Sequence, residues 1–449
     1  MFRSITLFFD RIVQRYLPDA FLFAIILTLV VFVLGIGFTE SSPLDMATYW
    51  GDGFWKLLEF AMQMSLIVVT GYILANTPIV KSILATTARL AKTPGQAVVL
   101  VTVVASIACL INYGFGLVVG ALFARHVVRE VPQVDYRLLV ASAYSGYLLW
   151  HGGMSGSIPL TIATPGHFLE DSIGLIPVTE TLFSSANVFI VISLFLTLPI
   201  LNWYLSKTTS GPGSLNTYLT KEQIVALTES ESSPSSTVHT ENLTPADRIE
   251  NSMIISIAIG LLGLFFIFAY FIRNGFNLNI NIINFIFLFL GILFHKTPRR
   301  FLNTVTDAVK NAGGIIIQFP FYAGIMGMMV ASGLSEQLSL WFIAISNEFT
   351  FPLLTFISAG ILNMFIPSGG GQWAVQGPIM ISAALEMGAD TAKTAMAVAW
   401  GDSWTNMIQP FWTLPLLAIA GLKVRDILGF CVMVLLWSFI PISIGFLFF

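Results

Sequence analysis

The sequence contains few charged residues and few cysteines, and each shortage excludes a class of protein. Only 10% of its 449 residues are Asp, Glu, Lys or Arg, whereas a soluble domain carries about 25%. A chain so poor in charge must place most of its surface in lipid. The two cysteines, Cys109 and Cys431, lie in apolar runs. They indicate small buried side chains, and neither a disulfide framework nor a metal cluster.

Two further absences narrow the function. The net charge of −3 is small, so the chain carries no basic excess of the kind that attracts nucleic acid. The sequence also lacks the Gly-x-x-x-x-Gly-Lys-Ser/Thr pattern of a phosphate-binding loop. We therefore expect no nucleotide-driven pump.

Long apolar stretches are plentiful, and several approach the roughly 20 residues that a helix needs to cross a bilayer. Examples occupy 17–38, 186–205 and 254–272. The first lacks a small-x-small cleavage site, so we interpret it as a mature span and not as a signal peptide. The sequence predicts an all-α polytopic membrane protein with about nine transmembrane helices and two hairpins.

A polar segment at 206–250, rich in Ser, Thr and Glu, divides the chain into two hydrophobic halves. We interpret it as a solvated cytoplasmic linker with a short surface helix near the capping-box pattern at 220–223. Residues 1–205 form the first predicted membrane repeat, with a hairpin at 95–128. Residues 251–449 hold an extra span and the second repeat, with a hairpin at 352–386.

The two halves share an ordered set of motifs, which predicts an internal duplication. Each pair of matching motifs is separated by 250 to 255 residues. Two of the matches are a Ser or Thr followed by Pro, the pattern of an N-cap and a first helical turn. The matched positions are 112–116 with 363–371, 150–157 with 400–406, and Ser42 and Pro43 with Thr297 and Pro298.

The basic residues predict the orientation, because cytoplasmic loops are enriched in Lys and Arg. With the N-terminus cytoplasmic, only Lys56, Arg273 and Lys393 of the 21 basic residues fall outside. The C-terminus then also ends outside. The same path turns the two hairpins in opposite directions, so the repeats are inverted. Glycines and polar residues at the tips favour re-entrant hairpins, since exposed backbone at membrane depth is tolerated where it lines a cavity.

Four interruptions of these helices predict the binding site. Inverted repeats with broken helices at matching positions are typical of secondary transporters, whose site lies near the bilayer midplane. Two interruptions are the hairpin tips, and two are breaks at 150–159 and 400–410. A half-helix that begins offers free N–H groups and a positive dipole end to an anion. A half-helix that ends offers carbonyls to a cation.

Side chains at the interruptions fit that division, because hydroxyls and amides supply neutral donors and acceptors and glycines bare the backbone. Isolated small residues in spans more often serve helix packing. Three consecutive glycines at 369–371 would destabilise a continuous helix, so we favour a functional role there. The predicted substrate-binding residues are Asn112, Gly114, Gly116, Gly153, Ser155, Ser157, Asn363, Ser368, Gly369, Gly370, Gly371, Gln372, Trp373 and Trp404.

No Lys or Arg lies clearly inside a predicted span, and a dicarboxylate carrier would more comfortably have one. We therefore expect a small organic monoanion held by helix ends and neutral donors. Tryptophans near the breaks, among them Trp373 and Trp404, lie at predicted mid-depth. They could line an apolar pocket for a short acyl chain, although most membrane tryptophans are interface anchors.

Asp402 is the one carboxylate that this map places deep in a span and at a break, which predicts a cation ligand or a proton carrier. The alternative is that it caps the half-helix that follows. His151 holds the equivalent position in the first repeat, and a structural role is as plausible there. The predicted cation-coupling residues are Asp402, Ser403, Thr405, Asn406 and His151. The coupling ion is H⁺, or Na⁺ near Asn112, Asn363 and Asp402, and we expect no other cofactor.

Motifs over nearly the whole chain resemble those of the short-chain fatty acid transporter family, the acetoacetate and butyrate carriers of bacterial inner membranes. They lie at 50–55, 111–120, 155–157, 163–166, 318–324, 367–371 and 409–412.

The resemblance implies a secondary active symporter of short-chain monocarboxylates in the cell inner membrane, with a cytoplasmic N-terminus and a periplasmic C-terminus. It also implies a scaffold domain, a moving transport domain of the elevator type, and a homodimer. The family pattern has Gly where His151 stands and Glu where Asp402 stands. A charge-bearing role therefore carries over to Asp402 better than to His151.

Two other functions stay open. A transporter of another small carboxylate or of an amino acid would share the fold. An intramembrane serine hydrolase is indicated by Gly-Met-Ser-Gly at 153–156, but no histidine is well placed on another helix as its base. A hydrolase would also leave the inverted repeat unexplained. We therefore expect a transporter and no enzyme.

Overall fold

The computed structural model describes residues 20–208, 244–409 and 411–449, and these ranges contain helices and no strand. Within them, seven helices are long and apolar enough to cross a membrane. The predicted all-α membrane fold is confirmed, whereas the count of nine spans stays a prediction. The seven helices include Phe21–Phe38, Leu58–Ala75, Pro94–Ile111, Ser185–Lys207, Met253–Asn274, Gly313–Ala331 and Val424–Phe448.

The first half of the described chain holds ten α-helices, and a 3₁₀ turn at Gly146–Gly152 follows the seventh. They are α1 (Ala20–Phe38), α2 (Pro43–Gly53), α3 (Leu58–Ala75), α4 (Pro78–Ala88), α5 (Pro94–Ile111), α6 (Tyr113–Glu130), α7 (Tyr136–Ser145), α8 (Ser157–Ile162), α9 (Glu170–Ile173) and α10 (Ser185–Thr208).

The second half of the described chain holds eleven α-helices, and the short 3₁₀ turn Val309–Asn311 precedes the fifth of them. They are α11 (Pro245–Glu250), α12 (Met253–Asn274), α13 (Ile280–His295), α14 (Pro298–Ala308), α15 (Gly313–Ala331), α16 (Leu334–Ile345), α17 (Phe351–Asn363), α18 (Gly369–Met387), α19 (Thr391–Thr405), α20 (Thr413–Ala420) and α21 (Val424–Phe448).

The two predicted Ser/Thr-Pro caps are confirmed. Ser42 begins α2 and its Oγ accepts a hydrogen bond from the Asp45 backbone N–H at 3.2 Å. Thr297 begins α14 and its Oγ1 accepts from the Arg300 N–H at 3.5 Å. A hydroxyl at the N-cap satisfies one of the helix's free N–H groups, and the proline that follows needs no such partner.

Helices from each half of the chain pack against a long helix of the other half. Helices α1 and α2 pack on α15 of the second half, and α13 and α14 pack on α3 of the first half. The contact between α2 and α15 is close, because a Cβ on Gly53 would lie 2.8 Å from the Ala323 carbonyl oxygen. This reciprocal packing is the arrangement expected of two repeats that share one core.

Two helical hairpins lie at the predicted positions along the chain. Helices α5 and α6 meet at Asn112, and α17 and α18 are joined by 364–368. The first limb of each hairpin packs on a span that is interrupted: α5 on α7 and its 3₁₀ turn, and α17 on α19. Whether both hairpins are re-entrant, and whether they enter the membrane from opposite sides, stays a prediction.

The interruptions of the two spans differ in detail from the prediction. The first span consists of α7, the 3₁₀ turn, an irregular stretch at 153–156, and α8. The second consists of α19 and α20, so its interruption begins only after Thr405. Asp402 therefore lies inside the last turn of α19 and not at the break, because the helical hydrogen bonding continues past it: the Asn406 N–H donates to the Asp402 carbonyl at 3.1 Å.

Helices extend into both ends of the predicted linker at 206–250: α10 runs to Thr208, and α11 occupies Pro245–Glu250. Thr244 caps α11 in a capping box with Asp247. The guanidinium of Arg299 at the start of α14 contacts Asp247 and Glu250, at 2.5 and 2.7 Å. The capping-box pattern at 220–223 lies outside the described residues.

Candidate functional site

All four interruptions contribute residues to one small cavity. The first hairpin supplies its tip and the first break supplies both of its ends. The second hairpin supplies the start of α18, and the second break supplies Trp412. Two further spans, α3 and α15, complete the wall with apolar side chains. The lining residues are Met64, Tyr113, Trp150, Ser157, Ile315, Phe319, Ser368, Gly369, Gly370 and Trp412.

The start of α18 brings backbone N–H groups to this cavity. Ser368 is the N-cap, and its Oγ accepts a hydrogen bond from the Gly371 N–H at 3.3 Å. The first N–H groups of a helix have no partner inside the helix, so those of Gly369 and Gly370 are available to an anion. A Cβ on Gly369 would lie 2.5 Å from His151 Cε1, and one on Gly370 would lie 2.9 Å from Phe60 Cζ. Larger residues would close the approach.

Two of the residues that line the cavity, Trp150 and Trp412, have an indole N–H without a partner. The Nε1 atoms of Trp150 and Trp412 are buried and have no hydrogen-bond partner. The ring of Tyr113 packs between them, with centroids 4.7 Å from Trp150 and 5.7 Å from Trp412. A buried indole N–H normally finds an acceptor. The pair therefore suits an acceptor that enters the cavity, such as a carboxylate.

Within the part of the chain that the structure describes, no Lys or Arg lines the cavity, and the remaining wall is apolar. Met64, Ile315 and Phe319 are 3%, 7% and 1% exposed, so this wall is dry. The arrangement can hold one negative charge by neutral donors on one side and a short hydrocarbon chain on the other.

His151 connects the cavity to a buried polar cluster behind it. Its Nδ1 lies 2.7 Å from the Ala399 carbonyl oxygen, and its Nε2 lies 2.8 Å from Ser157 Oγ. A carbonyl only accepts, so Nδ1 carries the hydrogen. In the neutral imidazole Nε2 is then the acceptor, and the Ser157 hydroxyl donates to it. In that state Ser157 presents only lone pairs to the cavity.

Asp402 lies on the other side of His151. Its Oδ2 is 3.4 Å from His151 Nδ1 and accepts a hydrogen bond from Asn406 Nδ2 at 3.0 Å. The amide of Asn363 donates to the Asp402 carbonyl at 2.8 Å and to Thr405 Oγ1 at 3.0 Å. The carboxylate accepts no backbone N–H, so the predicted alternative of a helix cap does not describe it. The cluster joins the tip of the second hairpin to the end of α19.

The predicted sodium position fits these residues only in part. Three buried oxygens, Asn363 Oδ1, Asp402 Oδ1 and Ser403 Oγ, have no partner, and such oxygens suit a hard cation. Asn112 does not fit, because its Oδ1 accepts from the Phe115 N–H at 2.8 Å. Its unpaired atom is Nδ2, an N–H donor. Among the described residues no three His, Cys, Asp or Glu side chains are grouped as a metal site.

Several predicted substrate residues of the first repeat lie outside the cavity wall. A Cβ on Gly114 would lie 3.0 Å from the Val68 Cα. One on Gly116 would lie 2.6 Å from Cys109 backbone atoms, and one on Gly153 would lie 2.6 Å from the Leu110 Cα. Their small size serves close helix packing. Ser155 Oγ accepts from the Tyr113 N–H at 2.8 Å and thereby fixes the tip of the first hairpin.

Four predicted residues of the second repeat also serve the scaffold of the site and do not line it. Gln372 Nε2 donates to the Ala359 carbonyl at 2.9 Å and joins the two limbs of the hairpin. A Cβ on Gly371 would lie 2.6 Å from the Tyr322 ring. Trp373 is fully buried in the core, and Trp404 Nε1 donates to the Leu435 carbonyl of α21 at 2.8 Å.

The serine of the Gly-Met-Ser-Gly motif is Ser155, and His151 of the same span contacts Ser157 and not Ser155. Ser155 is instead held by the Tyr113 N–H.

A family model described as short chain fatty acid transporter matches residues 1–449. The chain belongs to the short-chain fatty acid transporter family. A relative from Escherichia coli strain K12 is 47% identical over 445 residues, 99% of each chain. One from Haemophilus influenzae Rd is 45% identical over 448 residues, 98% of each chain. The names of both assign them provisionally to short-chain fatty acid transport.

Two solved transporters share the fold of this short-chain fatty acid transporter family member. The YdaH transporter of Alcanivorax borkumensis has a TM-score of 0.56 and 16% identity, with 96% of this chain and 97% of YdaH covered. MtrF of Neisseria gonorrhoeae, described with a class of antimetabolite efflux pumps, has a TM-score of 0.50 and 13% identity, with 99% and 96% covered. The chain is thus a multi-pass membrane transporter, and the predicted family resemblance is confirmed.

Proposed function

We propose that this protein is a secondary active transporter of short-chain monocarboxylates such as butyrate and acetoacetate. The observation that carries the proposal is the cavity at the four interruptions. It combines two unpaired indole N–H groups, the free N–H groups at the start of α18 and a dry apolar wall, with no basic residue.

Neutral donors suffice for one carboxylate. A hydrogen bond to a charged group is worth about 1.5–3 kcal/mol, and the start of a helix adds on the order of 1 kcal/mol. Trp150, Trp412 and the start of α18 together provide several such interactions around one position. A second carboxylate would have to enter the apolar wall without a partner, at a cost of several kcal/mol. The cavity therefore favours a monoanion.

The apolar wall favours a short hydrocarbon chain over none. Burial of each CH₂ group against Met64, Ile315 and Phe319 contributes about 0.8 kcal/mol. Affinity should therefore rise from acetate to butyrate and then stop rising when the chain outgrows the cavity.

We propose H⁺ as the coupling ion, and the His151–Ser157 bond supports this choice. A proton taken up by His151 beside Asp402 makes both ring nitrogens donors. Nε2 then donates to Ser157 Oγ, and the Ser157 hydroxyl hydrogen is free to turn into the cavity. The same proton that neutralises the buried carboxylate thus supplies a new donor for the anion, so that proton and substrate bind together.

Na⁺ is the second candidate, because three unpaired buried oxygens surround the same cluster. Asn363, Asp402 and Ser403 would hold that ion, and it would supply a positive charge at the end of α19 without changing Ser157. Proton coupling and sodium coupling therefore make different predictions for the Ser157 hydroxyl.

The transport cycle that we propose is of the elevator type, in an inner-membrane homodimer with its N-terminus in the cytoplasm. Both hairpins and both interrupted spans contribute to the cavity, so a substrate held there would move with them as one body. The reciprocally packed α1, α3, α13 and α15 would then form much of the scaffold.

Counterflow in proteoliposomes tests the proposal. We expect butyrate-loaded vesicles to take up labelled butyrate and acetoacetate, acetate to compete weakly, and succinate not to compete. Uptake against a gradient should follow an imposed pH difference and persist without Na⁺. Competition by succinate or an amino acid would contradict the substrate class. A strict Na⁺ requirement would select the second coupling ion. Turnover of an ester or peptide by the purified protein would point to the hydrolase alternative.

A further inference from the structure

A second and larger space lies beside the cavity. We call it the vestibule; it is open to solvent, and its wall mixes polar and apolar residues. It lies between the start of α3, the end of α8 with the loop after it, and the start of α13. Its polar lining residues are Lys56, Glu59, Gln63, Thr161, Thr164 and His167.

The vestibule and the cavity are one helical turn apart on two different helices. On α3, Phe60 lines the vestibule and Met64 lines the cavity. On α8, Thr161 lines the vestibule and Ser157 lines the cavity. Residues four apart lie on one face of a helix, about 6 Å along its axis. The barrier between the two spaces is therefore about one side chain thick.

The ring of Phe60 occupies this barrier. It contacts Phe168 on the vestibule side, at a centroid distance of 5.8 Å, and Phe319 of the cavity wall at 5.5 Å. Its tip reaches Gly370, where an added Cβ would lie 2.9 Å from Phe60 Cζ. The ring is 8% exposed and only apolar contacts hold it, so a change of rotamer breaks no hydrogen bond.

We propose that the vestibule is the route by which a short-chain carboxylate reaches the cavity, and that Phe60 is the gate between them. The inference rests on the proposed transport function. Of the described residues that line this route, Lys56 and His167 are the basic ones. Both ring nitrogens of His167 are already bound to the backbone, so this side chain is held in the wall. Its Nε2 contacts the Gly174 carbonyl at 3.0 Å, and its Nδ1 accepts from the Leu169 N–H at 3.3 Å. The carboxylate would pass Lys56 and displace the Phe60 ring to reach Ser157.

Cysteine accessibility tests the gate without requiring transport. Cys109 and Cys431, both buried, are first replaced by Ala. Met64→Cys then reports on the cavity and Thr161→Cys on the vestibule, with a charged, membrane-impermeant methanethiosulfonate reagent added to one side at a time. The side from which Thr161→Cys reacts identifies the side of the vestibule.

From that side, we expect Met64→Cys to react at least tenfold more slowly than Thr161→Cys when Phe60 is present. Phe60→Ala should raise the Met64→Cys rate to near that of Thr161→Cys, with Phe60→Leu intermediate. The matched control Leu58→Ala, at a position of α3 that is 52% exposed, should leave the rate slow. Thr161→Cys labelling in each background shows that the fold is retained.

Rapid labelling of Met64→Cys with Phe60 present would overturn the gate. So would a Met64→Cys that stays unreactive in the Phe60→Ala background while Thr161→Cys reacts. Butyrate should slow the labelling of Met64→Cys at least threefold. Failure of that protection, with the Phe60 dependence intact, would count against the proposed substrate and not against the gate.

Discussion

The Nε2 atom of His151 lies 2.8 Å from the Oγ atom of Ser157. This bond joins the cavity that Ser157 lines, where we propose that the substrate binds, to the buried carboxylate of Asp402 on the far side of the imidazole. Because the Ala399 carbonyl fixes the hydrogen on Nδ1, a proton on His151 must reverse the direction of the bond to Ser157. In the proposed proton-coupled cycle, the protonation state of the cluster would therefore set whether Ser157 donates to the cavity or only accepts.

Ser157→Ala should remove the donor that appears when His151 is protonated. Butyrate affinity should therefore fall about tenfold or more when the cluster is loaded with a proton, since a hydrogen bond to a charged group is worth about 1.5–3 kcal/mol. At the alkaline end of the pH range of transport, where the hydroxyl donates to neutral His151, the loss should be smaller than at the acid end. The measurement is the KM for butyrate at both ends of that range in proteoliposomes.

The matched control for this variant is Ser142→Ala, a buried serine of α7 whose Oγ donates to the Leu138 carbonyl at 2.7 Å. It should leave the pH dependence of the KM unchanged. An equal loss of affinity by Ser157→Ala at both ends of the pH range would contradict the switch and leave Ser157 as an ordinary donor.

Trp150→Phe and Trp412→Phe remove one indole N–H each and keep most of the ring. Each should raise the apparent Kd for butyrate about tenfold to a hundredfold, because the carboxylate loses a buried donor. The control Trp437→Phe removes the indole of a residue that is 40% exposed and bonds to Thr197, and should change the Kd little. Binding is measured by isothermal titration of butyrate into the protein in detergent. Wild-type affinity in both cavity variants would show that the anion binds elsewhere.

Part of the site follows from local sequence. Three consecutive glycines after Ser368 would destabilise the interior of a helix. A helix end or start at 369–371 is therefore predictable from those four residues, and the structure has α18 begin there. The two Ser/Thr-Pro caps are predictable in the same way. Such signals depend only on the chain itself.

The rest depends on tertiary contacts that composition does not encode. Gly114 and Gly153 resemble Gly369 in the sequence, yet they serve close packing, because what approaches them is another helix and not a ligand. Met64 and Phe319 read as ordinary apolar residues of spans, and only the packing of α3 against α15 turns them towards the cavity. The tryptophans at the breaks were a usable signal, but sequence could not separate Trp150, which lines the cavity, from Trp404, which does not.

Asp402→Asn should abolish accumulation of butyrate against a gradient and retain counterflow exchange. An amide cannot carry the charge that a coupled cation neutralises, but its oxygen can still accept the hydrogen bond from Asn406 Nδ2. The fold should therefore survive, as judged by monodispersity after extraction. Asp171→Asn, at an exposed position of α9, serves as the control. Normal accumulation by Asp402→Asn would assign the carboxylate a purely structural role.

Gly370→Val should raise the apparent Kd for butyrate at least tenfold, because the new side chain must enter the space between Phe60 and Phe319. An added Cβ alone would lie 2.9 Å from Phe60 Cζ and 3.3 Å from Phe319 Cζ. Gly37→Val is the control, since a Cβ at that exposed glycine of α1 meets nothing within 4 Å. Unchanged butyrate binding by a well-folded Gly370→Val protein would show that the anion does not approach the start of α18.

The orientation of the repeats is tested by single cysteines at Ser232 and Ser346 in a background without Cys109 and Cys431. Only Lys56, Arg273 and Lys393 of the 21 basic residues fall outside when the N-terminus is cytoplasmic. Such an asymmetry sets orientation, because Lys and Arg are retained on the cytoplasmic side.

The cysteine at 232 should therefore react with an impermeant maleimide only in inverted vesicles, and the cysteine at 346, after α16, only in intact cells. Detergent-solubilised protein, in which both must react, is the control for reactivity. Labelling of both cysteines from the same side would place the two hairpins on a common side of the membrane and remove the basis for an inverted repeat.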